Sequence, residues 1–325
     1  MNLKEKTILC TGGGGFVGTY VCRYLVSIGV PVHRIISPRK NQFDLTRQAD
    51  TDLLFQKTRP SVVIHLAARV GGIGYNRDHP FDCAYDNMAM GLNVIECAEH
   101  YDVEKIVAVS TVCAYPKFAP IPFKEEDLWN GYPEETNAPY GIAKKAVMEL
   151  AKAAHAQCGL NAVNLLLVNC YGPGDDFDPS SSHVIPAMIR KFDAEVKCQR
   201  KAAGAKESGT GEVVLWGSGN ASREFIYVED AAVAIVKAAE CVETPDPINV
   251  GSGHEVSISD LAKIIARECG YEGVIRWDTT KPDGQPRRCL DISKAETLMN
   301  FRAGTCLEYG IRQTVAWWRE HGGKV

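Results

Sequence analysis

The alternation of short β-branched runs with helical patterns constrains the fold of this chain more than any other feature. The runs TILCT, RIIS, SVVIHLA and KIVAVST are typical of buried strands, and a helical pattern separates each from the next. Strands joined by single helical crossovers form a parallel sheet with helices on both faces. The sequence therefore predicts an α/β fold built on a doubly wound parallel sheet.

Regular structure breaks after the strand NAVNLLLVN, in the segment YGPGDDFDPSSSH. Beyond it the patterns predict an exposed polar loop at 200–212, a short strand VVLW, a return to the main sheet near REFIYVEDAA, and two helices, SISDLAKIIARE and one ending in AWWRE. We expect residues 1–172 plus about 224–250 to bind a dinucleotide. Residues 173–223 plus about 251–325 would form a second, smaller, discontinuous α/β domain for the substrate.

Composition limits the ligands. With 325 residues, 45% apolar content and a net charge of −4, the chain can bury a large core but attracts nucleic acid or anionic lipid only weakly. No apolar run approaches the roughly 20 residues that span a bilayer. We therefore expect a cytoplasmic protein that binds small molecules and neither nucleic acid nor membrane. Twelve scattered cysteines without a CxxC pair predict reduced thiols and no metal site.

A glycine motif lies between the first strand and the first helix, in TILCTGGGGFVGTYV. Gly12, Gly15 and Gly18 permit a tight turn, a close approach of the backbone to a pyrophosphate and close packing of helix on strand. The helix N-terminus adds N–H groups and a positive dipole. Such a triplet also occurs in ordinary turns, but its position between strand and helix favours dinucleotide binding in a Rossmann fold.

The end of the second predicted strand selects the dinucleotide. In IISPRKNQFDL, Ser37, Arg39 and Lys40 offer a hydroxyl and two cations, and no acid occurs before Asp44. At this place an acidic residue holds a ribose hydroxyl, whereas a basic residue holds a 2′-phosphate. The sequence therefore favours NADP (NADPH), with solvated loop charges as the alternative interpretation of Arg39 and Lys40.

A tyrosine and a lysine four residues apart open the helix in PYGIAKK, so Tyr140 and Lys144 share one helical face. A neighbouring ammonium is expected to lower the pKa of the Tyr140 phenol and make it a proton donor and acceptor near neutral pH. Thr111 ends the strand KIVAVST. In a doubly wound sheet both places face the cleft at the carboxyl ends of the strands.

These motifs, with HLAA at residues 65–68, resemble the extended short-chain dehydrogenase/reductases over nearly the whole chain. The resemblance implies that Thr111 hydrogen-bonds the reacting oxygen, that Tyr140 moves its proton, and that Lys144 holds the nicotinamide ribose. It also implies a homodimer paired through the two helices that carry Asn87 and Tyr140.

Further motifs resemble one branch of that family, the GDP-L-fucose synthases, which act on a GDP-4-keto-6-deoxy sugar: HLAARVGGIGYN, STVCAYPK, NAPYGIAKK, DDFDPSSSHVIPAMIRKF, WGSGNASREF and KPDGQPRR. The resemblance makes Cys113 and His183 an acid/base pair. A ketone at carbon 4 acidifies the hydrogens at carbons 3 and 5, so inversion needs a base on one face of the sugar and an acid on the other. Taken alone, Cys113 is typical of a buried apolar thiol and His183 of a surface or capping histidine.

The same resemblance supplies the ligand-binding residues. Besides Ser37, Arg39 and Lys40, those expected at NADP are Gly12, Gly15, Phe16, Val17, Asp44, Leu45, Leu66, Ala67, Ala68, Tyr140, Lys144, Asn169 and His183. Those expected at the GDP-sugar are Asn87, Lys191, Trp216, Arg223 and Lys281. Each of these five also has an ordinary interpretation as a surface charge, a core aromatic or, for Asn87, a structural residue of a helix.

Two features depart from the synthase pattern: the glycine loop lacks the usual histidine, and Thr111 stands where serine is usual. A reductase of another GDP-4-keto hexose or heptose is therefore an alternative, as is an isomerase like GDP-mannose 3,5-epimerase that retains its cofactor. A sugar 4,6-dehydratase is disfavoured because Val112 and Cys113 replace the Asp-Glu pair that it needs. A non-catalytic dinucleotide sensor is disfavoured by the presence of Tyr140.

We expect NADPH-dependent epimerisation at carbons 3 and 5 and reduction at carbon 4 of a GDP-4-keto-6-deoxy sugar.

Overall fold

The computed structural model describes residues 1–202, 211–281 and 283–322. In chain order its strands are β1 (Ile8–Thr11), β2 (Ile35–Ile36), β3 (Val62–His65), β4 (Lys105–Thr111), β5 (Ala162–Leu167), β6 (Asn169–Tyr171), β7 (Glu212–Trp216), β8 (Ser222–Tyr227), β9 (Ile248–Val250), β10 (Glu255–Ser257) and β11 (Val274–Asp278). Its α-helices are α1 (Phe16–Ser27), α2 (Gln48–Thr58), α3 (Ile73–Asp78), α4 (Pro80–His100), α5 (Ala138–Cys158), α6 (Val184–Ala202), α7 (Val228–Cys241), α8 (Ile258–Cys269), α9 (Ser293–Met299) and α10 (Leu307–His321).

Six strands form one parallel sheet in the order β2-β1-β3-β4-β5-β9. β1 and β3 are buried along their whole length, as expected for strands that helices cover on both faces. The chain leaves β1 for β2 on one side and then crosses back to β3 on the other. A crevice therefore opens between β1 and β3 at the carboxyl ends of the strands. This architecture confirms the predicted doubly wound fold.

Helices cover both faces of this sheet. On one face α1 packs against α7, and Val21 and Ile235 belong to the core between them and the sheet. On the other face α2, α4 and α5 bury side chains such as Phe55. α4 and α5 approach closely because position 91 is a glycine: a Cβ at Gly91 would lie 2.2 Å from Cγ2 of Val147. The helix that carries Tyr140 is thus packed tightly onto its neighbour.

A second group of elements adjoins the end of the sheet. β8 pairs parallel with β6 and antiparallel with β10, while β7 pairs parallel with β11. The helices α6, α8 and α10 contribute Phe192, Leu261 and Ile311 to a core separate from that of the six-stranded sheet. Phe177 anchors the segment before α6 to this core by stacking on Trp318, with ring centroids 4.5 Å apart. This contact fixes the loop that leads to His183.

The segment REFIY departs from the prediction. It forms β8 of the three-stranded sheet, whereas the return to the six-stranded sheet is made by α7 and β9. An apolar run indicates a buried strand but does not specify its neighbours, so the sequence did not distinguish the two sheets. In the predicted polar loop at 200–212, α6 extends to Ala202 and β7 begins at Glu212. Residues 203–210 lie outside the described part of the chain.

None of the helices in the described ranges has both the length and the apolar character needed to cross a membrane. All twelve cysteines are free thiols. Among residues 1–202, 211–281 and 283–322, no cluster of three or more His, Cys, Asp and Glu side chains is arranged to hold a metal ion.

Candidate active site

A cavity of about 530 Å³ opens where β1, β3, β4 and β5 end. Residues from the loops that follow these strands line it, together with residues of α5 and the loop before α6. Parallel strands bring their carboxyl ends to one edge of the sheet, so loops that are distant in sequence meet there. We call this cavity 1.

The glycine loop after β1 leaves no room for side chains. Gly12 has a φ of 72°, in the left-handed region that favours glycine. A Cβ at Gly12 would lie 2.7 Å from the backbone nitrogen of Ala67, and a Cβ at Gly18 would lie 2.1 Å from the carbonyl oxygen of Gly12. The backbone at the N-terminus of α1 is therefore bare at the cavity wall, which fits a dinucleotide phosphate.

The residues predicted to select NADP lie beside this loop. A Cβ at Gly13 would come within 2.4 Å of Oγ of Ser37, and Nη1 of Arg39 lies 3.5 Å from the carbonyl oxygen of Gly14. Lys40 lines cavity 1 itself. Two cations thus lie near the glycine loop, and the first acidic residue after them in the sequence is Asp44.

Thr111, Tyr140 and Lys144 line the same cavity. Oγ1 of Thr111 accepts a hydrogen bond from the backbone N–H of Cys113 at 3.2 Å, at the end of β4. Nζ of Lys144 donates to the carbonyl oxygen of Val109 at 3.0 Å. This second bond ties α5, which carries Tyr140 and Lys144, to β4, which ends at Thr111.

The protonation of the tyrosine differs from the prediction. Burial raises the pKa of Tyr140 well above its usual value, and nearby Cys113 acts in the same direction. Burial lowers the pKa of Lys144 to about 8. Loss of water around each group disfavours its charged form. The predicted lowering of the Tyr140 pKa is therefore wrong for this structure, and the phenol is neutral at neutral pH.

Cys113 and His183, far apart in the chain, line one cavity. Cys113 lies in a single 3-10 turn, Val112–Ala114, directly after β4. His183 immediately precedes α6. Burial lowers the pKa of His183, and the opposing influence of Asp176 is smaller. The imidazole is therefore neutral at neutral pH and able to accept a proton.

A second cavity of about 440 Å³, cavity 2, adjoins the first. The residues that line both are Gly72, Ile73, Asn169, Cys170, Asp175 and His183. The basic side chains on the wall of cavity 2 are Arg190, Lys191, Arg223 and Arg288. A pocket with this excess of positive charge suits an anionic ligand. His183 lies where the two cavities meet.

Two of the predicted substrate residues of cavity 2, Lys191 and Arg223, donate to carbonyl oxygens of the protein backbone. Nζ of Lys191 donates to the carbonyl oxygen of Val214 at 2.8 Å. Burial, with the nearby charge of Arg288, lowers the pKa of Arg223 to about 9. Trp216 lines the cavity, and Nζ of Lys281 lies 5.5 Å from the centre of its ring, outside the cavity wall. Three of the five predicted substrate residues therefore reach cavity 2.

Asn87 does not reach either cavity. Its Nδ2 donates to the carbonyl oxygens of Arg69 at 2.8 Å and Cys83 at 2.7 Å, and its Oδ1 accepts from the backbone N–H of Arg69 at 3.2 Å. The amide is committed to holding the loop after β3 against α4. These contacts support the structural interpretation of Asn87, and its binding of substrate stays a prediction.

Most of the residues predicted to bind the cofactor line cavity 1. Those on the wall of cavity 1 are Gly12, Gly15, Phe16, Val17, Lys40, Asp44, Leu45, Leu66, Ala67, Ala68, Tyr140, Lys144, Asn169 and His183. Ser37 and Arg39 lie behind the glycine loop, against Gly13 and Gly14, rather than on that wall.

Comparison with known proteins places the chain in a family. The model of the NAD dependent epimerase/dehydratase family matches residues 8–251. The chain belongs to this family. A GDP-L-fucose synthase of Sinorhizobium fredii is 40% identical over 312 residues, which cover 96% of this chain and 95% of its own. GDP-L-fucose synthase 1 of Arabidopsis thaliana is 38% identical over 318 residues, covering 98% and 94%.

Two solved structures of similar proteins extend the comparison. A GDP-L-fucose synthetase from Naegleria fowleri bound to NADP has a TM-score of 0.85 at 26% identity, covering 99% of this chain and 96% of its own. A GDP-6-OMe-4-keto-L-xylo-heptose reductase from C. jejuni has a TM-score of 0.88 at 26% identity, covering 97% of both chains. The resemblance of the sequence motifs to this family is thereby confirmed.

Arg288 was not predicted from the sequence, yet it lines cavity 2 and contacts Cys113 of cavity 1. Its Nη1 contacts Sγ of Cys113 at 3.3 Å, and its Nε donates to Oε1 of Gln285 at 2.7 Å. Gln285 in turn donates to the carbonyl oxygens of Pro116 and Lys117, at 3.2 and 2.9 Å. Arg288 lies in the segment KPDGQPRR, of which only Lys281 was predicted to bind substrate.

A buried amide network places the N-terminus of α5 and is also absent from the sequence predictions. Nδ2 of Asn76 donates to Oδ1 of Asn137 at 2.9 Å, and Nδ2 of Asn137 donates to Oε2 of Glu134 at 2.8 Å. Oδ1 of Asn76 accepts from the backbone N–H of Gly71 at 3.1 Å. The network joins the loop after β3 to the helix that carries Tyr140.

Proposed function

We propose that this protein is an NADPH-dependent enzyme that inverts carbons 3 and 5 and reduces carbon 4 of a GDP-4-keto-6-deoxy sugar. The observation that carries the proposal is the pair of adjoining cavities. Cavity 1 holds the acid–base residues beside the glycine loop, and cavity 2 holds the cations. The similarity to GDP-L-fucose synthases over nearly the whole chain supports the same reaction.

The cofactor would occupy cavity 1. The bare backbone at the start of α1 would hold the pyrophosphate, Arg39 and Lys40 the 2′-phosphate, and Lys144 the nicotinamide ribose. When bound, NADPH supplies the hydride for carbon 4. The solved relative bound to NADP supports this choice of cofactor.

Proton transfer would be divided among three side chains. Cys113 and His183 would exchange protons with carbons 3 and 5 from opposite faces of the sugar, beginning with the neutral imidazole as base. Tyr140 would protonate the oxygen at carbon 4, with Thr111 hydrogen-bonded to the same oxygen. The high pKa of Tyr140 suits this role because the phenol retains its proton until negative charge develops on that oxygen.

The nucleotide end would occupy cavity 2. Arg223 and Lys191 would lie near the diphosphate, and Trp216 with Lys281 above its ring would border the base.

We also propose that the protein is a homodimer paired through α4 and α5, where Phe81, Tyr85 and Leu92 are exposed. Twelve free thiols suit a reducing compartment such as the cytoplasm.

The deciding experiment incubates the protein with GDP-4-keto-6-deoxy-mannose and NADPH in heavy water. The expected result is stoichiometric oxidation of NADPH and a product that carries deuterium at carbons 3 and 5. Cys113→Ser should abolish inversion at carbons 3 and 5, while NADPH binding, followed by fluorescence, is unchanged. Full inversion by Cys113→Ser would contradict the role of the thiol.

The same experiment separates two alternatives. A reductase that acts on a GDP-4-keto heptose, favoured by the similar C. jejuni structure, would consume NADPH with that sugar and incorporate no deuterium. An isomerase with a retained cofactor would incorporate deuterium without net consumption of NADPH.

Changing Arg39 to alanine tests the cofactor. Loss of a 2′-phosphate contact should weaken NADPH binding by about tenfold or more and leave NADH binding nearly unchanged, as measured by fluorescence titration. Arg34→Ala is a matched control, because Arg34 instead donates to the carbonyl oxygen of Glu5. Equal losses for both dinucleotides in Arg39→Ala would remove the preference for NADP.

A further inference from the structure

The sulfur of Cys113 lies against a buried guanidinium. Nη1 of Arg288 donates to Sγ of Cys113 at 3.3 Å, and Arg288 is only 6% exposed. The thiol is half-buried and lines cavity 1, whereas Arg288 lines cavity 2. A guanidinium keeps its charge in proteins. The contact therefore places a fixed positive charge from the wall of one cavity beside the thiol of the other.

Arg288 is held in place by the loop that carries Cys113. Its Nε donates to Oε1 of Gln285, and Nε2 of Gln285 donates to the carbonyl oxygens of Pro116 and Lys117. The side chain of Gln285 is buried as well, and Pro116 follows Cys113 closely in the chain. The guanidinium therefore cannot leave the sulfur without breaking buried hydrogen bonds, which costs free energy.

Other charged and titratable groups near this pair lie on different elements. Arg223 on β8 and Tyr140 on α5 both interact electrostatically with Cys113. The carboxylate of Glu134, before α5, interacts with both arginines, but it already accepts hydrogen bonds from two neighbouring side chains. Among the described residues, Arg288 is the cation that donates a hydrogen bond to the sulfur itself.

We propose that Arg288 is a positioning residue that stabilises the thiolate of Cys113 during inversion of the sugar, an assignment that rests on the proposed function. With His183 as the base on one face, Cys113 gives its proton to the ring carbon from the other. An S–H bond breaks, a C–H bond forms, and the negative charge passes from the enolate to sulfur. A guanidinium N–H that donates to the sulfur favours this charged form. Arg288 thus makes the thiol a better acid.

The test measures alkylation of Cys113 by iodoacetamide in the full-length protein, followed by peptide mass spectrometry, from about pH 6 to about pH 10, which spans the ordinary titration of cysteine. The reagent reacts with the thiolate and is neutral, so its approach does not depend on the charge of Arg288. Arg288→Gln should slow alkylation at neutral pH by about three- to tenfold and move the midpoint of the pH profile upward by about one to two units. Well above that midpoint the variant should react as fast as wild type.

Three controls belong to the same experiment. Arg288→Lys keeps a positive charge beside the sulfur and should retain most of the rate at neutral pH. Arg287→Gln removes the neighbouring arginine, which is exposed and paired with Glu255, and should leave the profile of Cys113 unchanged. The exposed thiol of Cys158 is an internal standard whose rate should be the same in every variant.

An unchanged pH profile of Cys113 in Arg288→Gln would overturn the inference, and so would an equal loss of rate at every pH, since that indicates altered access to the thiol. If Arg288→Gln does not fold, Arg288→Met takes its place with the same expected result. Alkylation requires no sugar, so the two proposals can fail separately. A protein that shows the shift but neither inverts nor reduces GDP-4-keto-6-deoxy-mannose would refute the proposed function and leave the stabilised thiolate in place.

Discussion

At the scale of the residue, Asp175 shows how strongly burial sets the protonation of one carboxyl group. It lies on the wall shared by both cavities, and its Oδ2 has no hydrogen-bond partner among the described residues. Burial raises its pKa to about 8, whereas an unfolded aspartate titrates near ~4. Asp175 is therefore mainly protonated at neutral pH in the folded protein and ionised in the unfolded one.

This difference predicts a dependence of stability on pH. Between about pH 4 and pH 8 the unfolded state binds fewer protons at this position, so the contribution of Asp175 to the free energy of unfolding falls as pH rises. Asp175→Asn cannot ionise and loses that dependence. We expect the melting temperature of the variant relative to wild type to be higher at about pH 8.5 than at about pH 5.

Thermal unfolding of both proteins across this pH range, followed by circular dichroism, provides the measurement. The change in the free-energy difference should amount to a few kcal/mol, at ~1.4 kcal/mol per pKa unit. Parallel curves for the two proteins would show that Asp175 ionises normally in the folded state.

The sequence predicted the residues whose chemistry is encoded locally. Gly12, Tyr140 and Lys144 belong to short motifs with fixed spacing, so their place at a strand end or on a helix face follows from local geometry. Asp175 and Arg288 could not be found in this way. A carboxyl group in a Gly- and Asp-rich loop resembles a turn residue, and the contact between Arg288 and Cys113 joins segments that only the tertiary fold brings together.

At the scale of the element, the contact between α5 and the end of β4 positions the site. A Cβ at Gly141 would lie 2.4 Å from the carbonyl oxygen of Cys113. Gly141→Ala must therefore push the helix away from the backbone of Cys113, and Tyr140 moves with it. Overpacking of this kind costs about 1–3 kcal/mol.

We expect Gly141→Ala to lower the melting temperature and to reduce turnover by more than its loss of stability explains, because the phenol leaves its place beside Thr111. Gly304→Ala is the control, since a Cβ at Gly304 meets no atom within 4 Å. Thermal unfolding and steady-state kinetics of the two variants provide the comparison. Wild-type turnover by Gly141→Ala would show that the site tolerates displacement of α5.

Elements were easier to predict than their partners. Helical periodicity and β-branched runs located α1, α4 and α5 and the buried strands of the six-stranded sheet. They did not reveal short elements such as α3 or β10, because three to six residues carry too little periodic signal. Nor did they assign β8 to its sheet, since strand pairing depends on segments that are distant in sequence.

At the scale of the whole molecule, one face of α4 exposes large apolar side chains to solvent. Phe81, Tyr85 and Leu92 are 74%, 55% and 51% exposed, and their spacing places them on one helical face. Ile142 is exposed on the neighbouring α5. An exposed apolar stripe on two packed helices is typical of an interface between subunits, and a twofold axis would bury the same stripe in both copies.

The proposed homodimer predicts that Leu92→Asp yields a monomer, because a carboxylate in the apolar interface would be desolvated without a partner. Size-exclusion chromatography with light scattering measures the mass of the wild type and the variant. Leu298→Asp is the matched control, because Leu298 is similarly exposed, at 40%, but lies on α9. α5 carries both Ile142 and Tyr140, so the monomeric variant should also lose turnover. A monomeric wild type, or a dimer that survives Leu92→Asp, would show that this face of α4 is not the subunit interface.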